Sequence, residues 1–419
     1  MSRYRYRTAF FLCLWTLTMT TPLHASNPPT PEPDVDEVNV QAGEIRRGLV
    51  VGSTDGKSRE QRVFEDAISH VEPSMQGDPA RLDVYIHHFK TRFVGDPRLF
   101  HFDVQATYDE PTGIVLLEGH VEYHEHRTAV HKMLGYMGFD QIDNEIQLVP
   151  DPALGDHKFA IVHAEHTFIY SKPEGPRETV TQTVFADPIF VLAPADNDHL
   201  LVHGPDGYLG YVAAADVTPV KADRFNAWRG RDQAVLTRDH QHHDLKIRLG
   251  ASLPIAHQSA DKVTVELPDG SHAELPLDAI DIHPNEPDPR SEAAIAAGME
   301  LLGVPYVWGG IASDGLDCSG FVQTVHRAQG VLLPRDADMQ GTVGSLSATR
   351  WHRETMRRGD LMLFLGSRGR INHVGIYLGS GQYIESASGG VQITSIDPND
   401  DNYNERRANT FCFAKRLFR

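Results

Sequence analysis

From Asp288 onward the apolar pattern changes period once, from helical to extended, and that order leaves few folds open. Asp288 can cap a helix and Pro289 can take its first position. Ile295, Gly298, Met299 and Leu302 then share one face, and Gly303-Val304-Pro305 is the stop. A second helix is predicted in LDCSGFVQTVHRAQG, residues 316–330. There Phe321, Val322, Val325 and Ala328 recur at helical spacing, and Gly330 ends the run. The extended runs GDLMLFLG, NHVGIYLG, QYIES and NTFCFAKRLF follow. Helices first and antiparallel strands after predict an α+β core for residues 288–419.

Cys318 falls at or just before the first turn of the second helix, where the helix dipole favours a thiolate. Taken alone it reads equally as a small buried residue, as most free cysteines are. His373, in INHVGIYLG, taken alone reads as a core or surface histidine. A nucleophilic thiol needs a base, and the base needs an orienting partner. The strand of His373 runs through Gly379-Ser380-Gly381 into QYIES. A three-residue loop centred on Ser380 pairs odd positions with odd ones, so His373 and Glu385 project to the same side. A two-residue loop would separate them. The alternative orienting group is Gln392.

A chain of 419 residues predicts about three domains at ~150 residues each. MSRYRYR followed by TAFFLCLWTLTM, with a small residue at Ala25, reads as a signal peptide over residues 1–25. The apolar run is short for a membrane span, so an uncleaved anchor is the lesser reading. Export to the periplasm or outside the cell is expected, with no stable membrane insertion after cleavage. Cleavage removes Cys13 and leaves Cys318 and Cys412, too few for a disulfide-built protein. Cys412 reads as part of a buried terminal strand.

Residues 26–55 are a Pro-rich linker. Residues 56–150 read as an α/β module: a helix at 57–71, a hairpin alternating Phe102, Val104, Ala106 and Tyr108, a helical stripe of Ala129, Val130, Met133, Leu134 and Met137, then the strand NEIQLV. It loosely resembles a BON module. Residues 157–220 are short strands with Gly, Pro and Asp turns, which argue a small barrel. Asp206-Gly207-Tyr208-Leu209-Gly210-Tyr211-Val212 resembles the closing turn of bacterial SH3-like domains. Residues 223–285 repeat the style as a second, divergent SH3-like barrel. HPNEPDP, residues 283–289, is a linker into the last domain.

The formal net charge of −18 excludes a nucleic-acid partner held by phosphate neutralisation. Residues 290–419 carry 14 Lys+Arg against 13 Asp+Glu, so the acidity lies upstream. The histidine-rich stretches HVEYHEHRTAVHK (120–132) and HQHHD (240–244) read as solvated histidines, because a metal site needs three or four converging ligands. No metal or other cofactor is expected.

Together GVPYVWGG, LDCSGFVQ, LPRDADMQ, RRGDLMLF and NHVGIYLGSGQYIES resemble the NlpC family of papain-like bacterial cell-wall cysteine peptidases. The resemblance implies Cys318 as nucleophile and His373 as base. It puts a third polar residue, most often His, at the position of Glu385. It implies hydrolysis of peptidoglycan stem peptides at the γ-D-glutamyl bond to a diamino acid. In members with SH3-like domains, an Asp and a Ser flanking the cysteine and an upstream Tyr bind a free N-terminal L-alanine; the matching residues are Asp317, Ser319 and Tyr306. Asp317 reads equally as a helix cap, and Tyr306 as core. Arg335 and Asp336 are expected to form a structural ion pair. Two other functions stay open: an inactive wall-binding scaffold, and an acyltransferase or amidase on the same fold.

Overall fold

The computed structural model describes residues 56–418. The signal peptide expected over 1–25 and the linker over 26–55 lie outside the described residues. Helix Arg59–Val71 starts where Ser58 Oγ accepts from Gln61 N at 3.1 Å, and it buries Phe64, Ala67 and Ile68. A second helix, Leu82–Phe89, has no counterpart in the sequence reading. Strands Phe102–Asp109 and Ile114–Val121 form the expected hairpin, with Phe102 opposite Val121. Helix His124–Tyr136 then carries the chain back, so that Ile142–Asn144 and Gln147–Leu148 pair parallel to Ile114–Val121. Parallel pairing needs such a crossover.

Residues 157–220 form a seven-strand path. It runs from Val217–Val220 through Phe159–Val162, Pro188–Ala195, His199–His203, Leu209–Ala213 and His166–Tyr170 to Thr179–Val184. Residues 233–283 form a five-strand path with Gln233–Leu236 paired between Ser252–Gln258 and Ile280–His283. Neither path closes on itself, so the closed barrels expected from the sequence are not what the pairing shows. The ladders are thin where closure would require them to be continuous: only Tyr211 opposite Tyr170 joins two strands of the larger sheet. A register shift between Ile255 and His257 interrupts the smaller one. Helix Ala222–Arg229 links the two sheets and buries Phe225 and Trp228.

Beyond these sheets Asp288 accepts from Arg290 N at 2.8 Å and Pro289 opens helix Pro289–Met299, as read from the sequence. Leu302 falls past the end of that helix and is 46% exposed, so it leaves the apolar face. Gly298 stays on it because Phe321 closes in: a Cβ there would lie 2.9 Å from Phe321 Cζ. Helix Cys318–Arg327 buries Phe321, Val322 and Val325. Ala328 is its exposed C-cap, and the fourth place on the buried face goes to His326, whose Nδ1 reaches Val322 O at 2.8 Å.

These helices pack on a six-strand antiparallel sheet ordered Ser345–Thr349, Phe411–Arg416, Leu361–Leu365, Ile371–Gly379, Gln382–Ala387, Gly390–Ser395. The strand furthest along the chain is therefore interior. The hairpin that carries His373 turns on two residues, with Gly379 opposite Gln382 and Ser380 and Gly381 at φ 51° and 81°. The expected three-residue loop is absent. A bulge between Tyr377 and Gly379 supplies the extra residue instead, which returns Tyr377 to Tyr383 and restores the odd-with-odd register.

One buried apolar cluster runs from Phe64 through Phe225 to Phe413, so the units share a core. Polar contacts fix the docking. Arg350 donates to both oxygens of Glu125 at 2.9 Å and to Phe411 O at 2.6 Å. His203 Nε2 lies 3.1 Å from both oxygens of Glu122.

Candidate active site

Cys318 is the first residue of its helix and Asp317 is the cap. Asp317 Oδ1 accepts from Gly320 N at 2.7 Å, and its Oδ2 accepts from Gly309 N at 2.9 Å. One carboxylate thus ties the incoming loop to the helix start. The close approach requires Gly320, where a Cβ would fall 2.0 Å from Gly310 O. Cys318 is 5% exposed, and its Sγ lies 3.9 Å from Asn372 O. Of the first-turn N–H groups, that of Gly320 is taken by the cap, while those of Cys318 and Ser319 have no intrahelical partner.

His373 comes from the strand Ile371–Gly379, opposite Phe364, with ring centroids 5.6 Å apart. Its Nε2 meets Glu385 Oε2, which leaves Nδ1 as the nitrogen to serve Cys318, whose nearness helps to raise the ring's pKa. Both His373 and Glu385 are fully buried. The other carboxylate oxygen of Glu385 accepts from Thr394 Oγ1 at 2.6 Å and from Gln392 Nε2 at 3.5 Å. Gln392, the alternative orienting group, is therefore a neighbour of Glu385. Arg407 Nε stands 3.4 Å from Glu385 Oε2.

Burial and the charge of Arg407 pull the His373 ring down, but Glu385 and Cys318 outweigh them and raise it to about 9. Burial raises Glu385, but Arg407, His373 and Thr394 bring it down to about 2. The arrangement therefore holds an imidazolium against a carboxylate beside a thiol, the electrostatic setting in which a thiolate is stabilised. Cys412 contrasts: burial raises its thiol, and its Sγ lies 3.2 Å from Leu363 O inside the sheet. Both cysteines are free thiols.

Arg335 does not pair with Asp336 as expected. It donates to Asp317 Oδ1 at 3.0 Å and to Ser319 Oγ at 2.9 Å, and its second nitrogen reaches Asp317 Oδ2. Asp336 stands instead at the start of helix Ala337–Gln340. The cap carboxylate, deep in the loop, is the stronger partner because it offers two oxygens to a planar fork. Asp317 and Ser319 are buried, and Tyr306 is half-buried beside Leu316 through an isolated parallel bridge. Asp317 and Ser319 thus flank Cys318 at the helix start, Tyr306 bridges to the loop just before it, and Glu385 is linked through His373. Sequence reasoning missed Arg407 and Thr394. Arg407 sits in NERRANT, a polar run that looks solvated, and no local spacing marks it. Of the histidine-rich stretches, His126 is absorbed by packing, with Nε2 2.7 Å from Gly369 O. Among the described residues no three of His, Cys, Asp and Glu converge as metal ligands.

Residues 303–409 match the NlpC/P60 family. A gamma-D-glutamyl-L-lysine dipeptidyl-peptidase of Bacillus cereus (strain ATCC 10987 / NRS 248) is 28% identical over 227 residues, 50% of this chain and 67% of that protein. A murein DD-endopeptidase MepS/murein LD-carboxypeptidase of Escherichia coli (strain K12) is 44% identical over 110 residues, 25% of this chain and 55% of that one. Among solved structures, an NlpC/P60 family protein from Bacillus cereus ATCC 10987 has 21% identity over 62% of this chain and 99% of its own, with a TM-score of 0.28.

Proposed function

Because residues 303–409 are an NlpC/P60 domain, we propose that this chain is a cysteine peptidase that cuts peptidoglycan stem peptides at the γ-D-glutamyl bond. The observation that carries the reading is the Cys318–His373–Glu385 constellation at a helix N-terminus. In this reading the Cys318 thiolate attacks the γ-carbonyl, and the N–H groups of the first helical turn hold the oxyanion. His373 gives its proton to the leaving amine and then takes one from the water that releases the acyl-enzyme. Glu385 fixes the tautomer and stabilises the imidazolium.

The preference for peptides with a free N-terminal L-alanine belongs to the same proposal. Its support is the clustering of Tyr306, Asp317 and Ser319 at the helix start. Arg335 already compensates Asp317, so an ammonium group would join a carboxylate–guanidinium pair rather than meet a bare charge. We also read the two middle sheets as divergent SH3-like modules and residues 56–150 as a BON-like one. The Asp206–Val212 turn and the βαβ crossover support this. Export follows from the segment over 1–25; among the described residues no helix is long and apolar enough to cross a membrane.

The test is incubation of purified protein with L-Ala-γ-D-Glu-meso-diaminopimelate, its N-acetylated form and intact sacculi, with products identified by mass. Release of L-Ala-D-Glu, fastest from the free peptide, is the expected result. Equal rates on free and acetylated peptide would remove the free-amine preference. Transfer of the acyl group to an added amine in place of hydrolysis would favour the acyltransferase. No product at all would favour the scaffold.

A further inference from the structure

A cleft of about 120 Å³ lies where the two middle sheets meet the C-terminal unit. Neither Cys318, His373 nor Glu385 lines it. Three half-buried arginines do: Arg229 from the linking helix, Arg357 from the loop before Leu361–Leu365, and Arg416 from the interior strand. Arg416 is satisfied, because it donates to both oxygens of Asp360 at 2.9 and 2.8 Å. Among the described residues neither Arg229 nor Arg357 has a carboxylate as a side-chain partner, although the Arg357 backbone N donates to Asp360 Oδ2 at 2.8 Å. Arg229 donates to Leu346 O at 3.0 Å, and Arg357 donates to the Arg229 carbonyl. Asp187 also lines the cleft, with Oδ2 taken by Thr183 Oγ1 and Val184 N.

Asp360 acts on both Arg229 and Arg357 from beyond ion-pair distance, but its oxygens are taken by Arg416, so neither guanidinium has a direct ion-pair partner, which is costly where water is partly excluded. Burial, then Arg416 and, more weakly, Arg357 hold the Arg229 guanidinium down at about 9 against the pull of Asp360, and burial and Arg416 hold Arg357 at about 10 against Asp360 and Asp232. Such a pair is stabilised by a ligand that brings the missing charge. The rest of the wall mixes apolar Trp228, Pro188, Pro205 and Pro284 with polar Gln233, Ser252, His283 and Ser345. A small body with planar anionic groups suits it: a carboxylate matches the guanidinium fork two bonds at a time. The volume holds several waters' worth of space, enough for a small molecule and too little for a polymer.

We propose that this cleft is a binding site for a small organic anion with at least two carboxylates, one taken by Arg229 and one by Arg357. Three units of the fold supply its walls, so occupancy ties their relative placement to the supply of that anion. The site is independent of the peptidase reading.

The test uses the full chain and citrate as probe, by titration calorimetry and thermal unfolding, against sodium chloride at matched ionic strength. Saturable citrate binding and a rise in Tm beyond the chloride control are expected. Arg357→Gln should weaken binding at least tenfold, and Arg229→Gln likewise where it folds. Alkylating Cys318 should leave citrate binding unchanged. Absence of saturable binding, equal affinity in wild type and Arg357→Gln, or loss of binding on alkylation would each overturn the site. Inorganic phosphate bound more tightly than citrate through the same arginines would overturn the carboxylate assignment.

Discussion

Arg407 and His373 share one oxygen: Glu385 Oε2 engages the imidazole on one side and stands 3.4 Å from the guanidinium on the other. Arg407 lies with its guanidinium carbon 5.5 Å from the Phe364 ring centroid, and the same ring packs on His373. The candidate triad is thus continued by a fourth charge. That charge opposes the imidazolium while helping to keep Glu385 ionised. Arg407→Met should therefore move the alkaline limb of the kcat/KM profile to higher pH, because a cation that lowers the His373 pKa is gone. KM should change little. A limb that stays in place would reduce Arg407 to packing.

Glu385→Gln keeps a group that can orient His373 but removes the charge, and Glu385→Ala removes both. The expected loss in kcat/KM for Ala is roughly 10- to 10⁴-fold, between general-base and triad-orienter losses. Gln should fall between Ala and wild type, with its alkaline limb shifted to lower pH. Coincident profiles for all three proteins would take Glu385 out of the mechanism and return attention to Gln392.

Cys318→Ala should abolish hydrolysis and leave the far-ultraviolet circular dichroism and Tm close to wild type. Iodoacetamide should label Cys318 and spare Cys412, which is buried in the sheet. Peptide mapping of labelled protein reads this directly; labelling of Cys412 ahead of Cys318 contradicts it.

Gly320→Ala places a methyl where Gly310 O now sits. The loop must withdraw, and Asp317 then loses its bond to Gly309. Overpacking of this kind costs about 1–3 kcal/mol. The expected outcome is a lower Tm together with lost activity, and an unchanged kcat would show that the loop position is immaterial to catalysis.

The buried His373–Glu385 pair also sets a pH window for stability. His373 is raised from 6.5 to about 9, so its contribution is full below pH 6.5 and is lost as pH rises through about 9. Glu385 is lowered from 4.5 to about 2, so its contribution is full above pH 4.5 and is lost as pH falls through about 2. The Tm difference between wild type and Glu385→Gln should therefore be greatest between pH 4.5 and 6.5. A difference of the same size at pH 10 would contradict the linkage.

The helix starts at Asp288 and Asp317 were legible because capping is local: a carboxylate, a Pro or a small residue, and an apolar stripe sit within one turn. The shared side of His373 and Glu385 was legible through parity, although the turn reached that parity by a bulge at Leu378 rather than by loop length. Partners distant in sequence were not legible. Asp317 finds Arg335 across 18 residues and Glu125 finds Arg350 across 225, and nothing near either member announces the other. Ala328 and Leu302 fit a helical period that runs past the helix ends, because periodicity does not feel where the backbone stops. Closure of the two middle sheets was not legible for a related reason: strand patterns give faces, whereas closure depends on which edges meet.

The interior position of strand Phe411–Arg416 has a consequence for folding. Among the described strands Ser345–Thr349 has that strand as its one neighbour, and Leu361–Leu365 has it as one of two. Until Phe411–Arg416 is free to pair, both earlier strands wait with an open edge. An open apolar edge of this kind invites pairing with another chain. The C-terminal unit should therefore gain protease resistance abruptly, only once Phe411–Arg416 is free to pair, and a refolding time course under pulse proteolysis should show no resistant intermediate that lacks this strand.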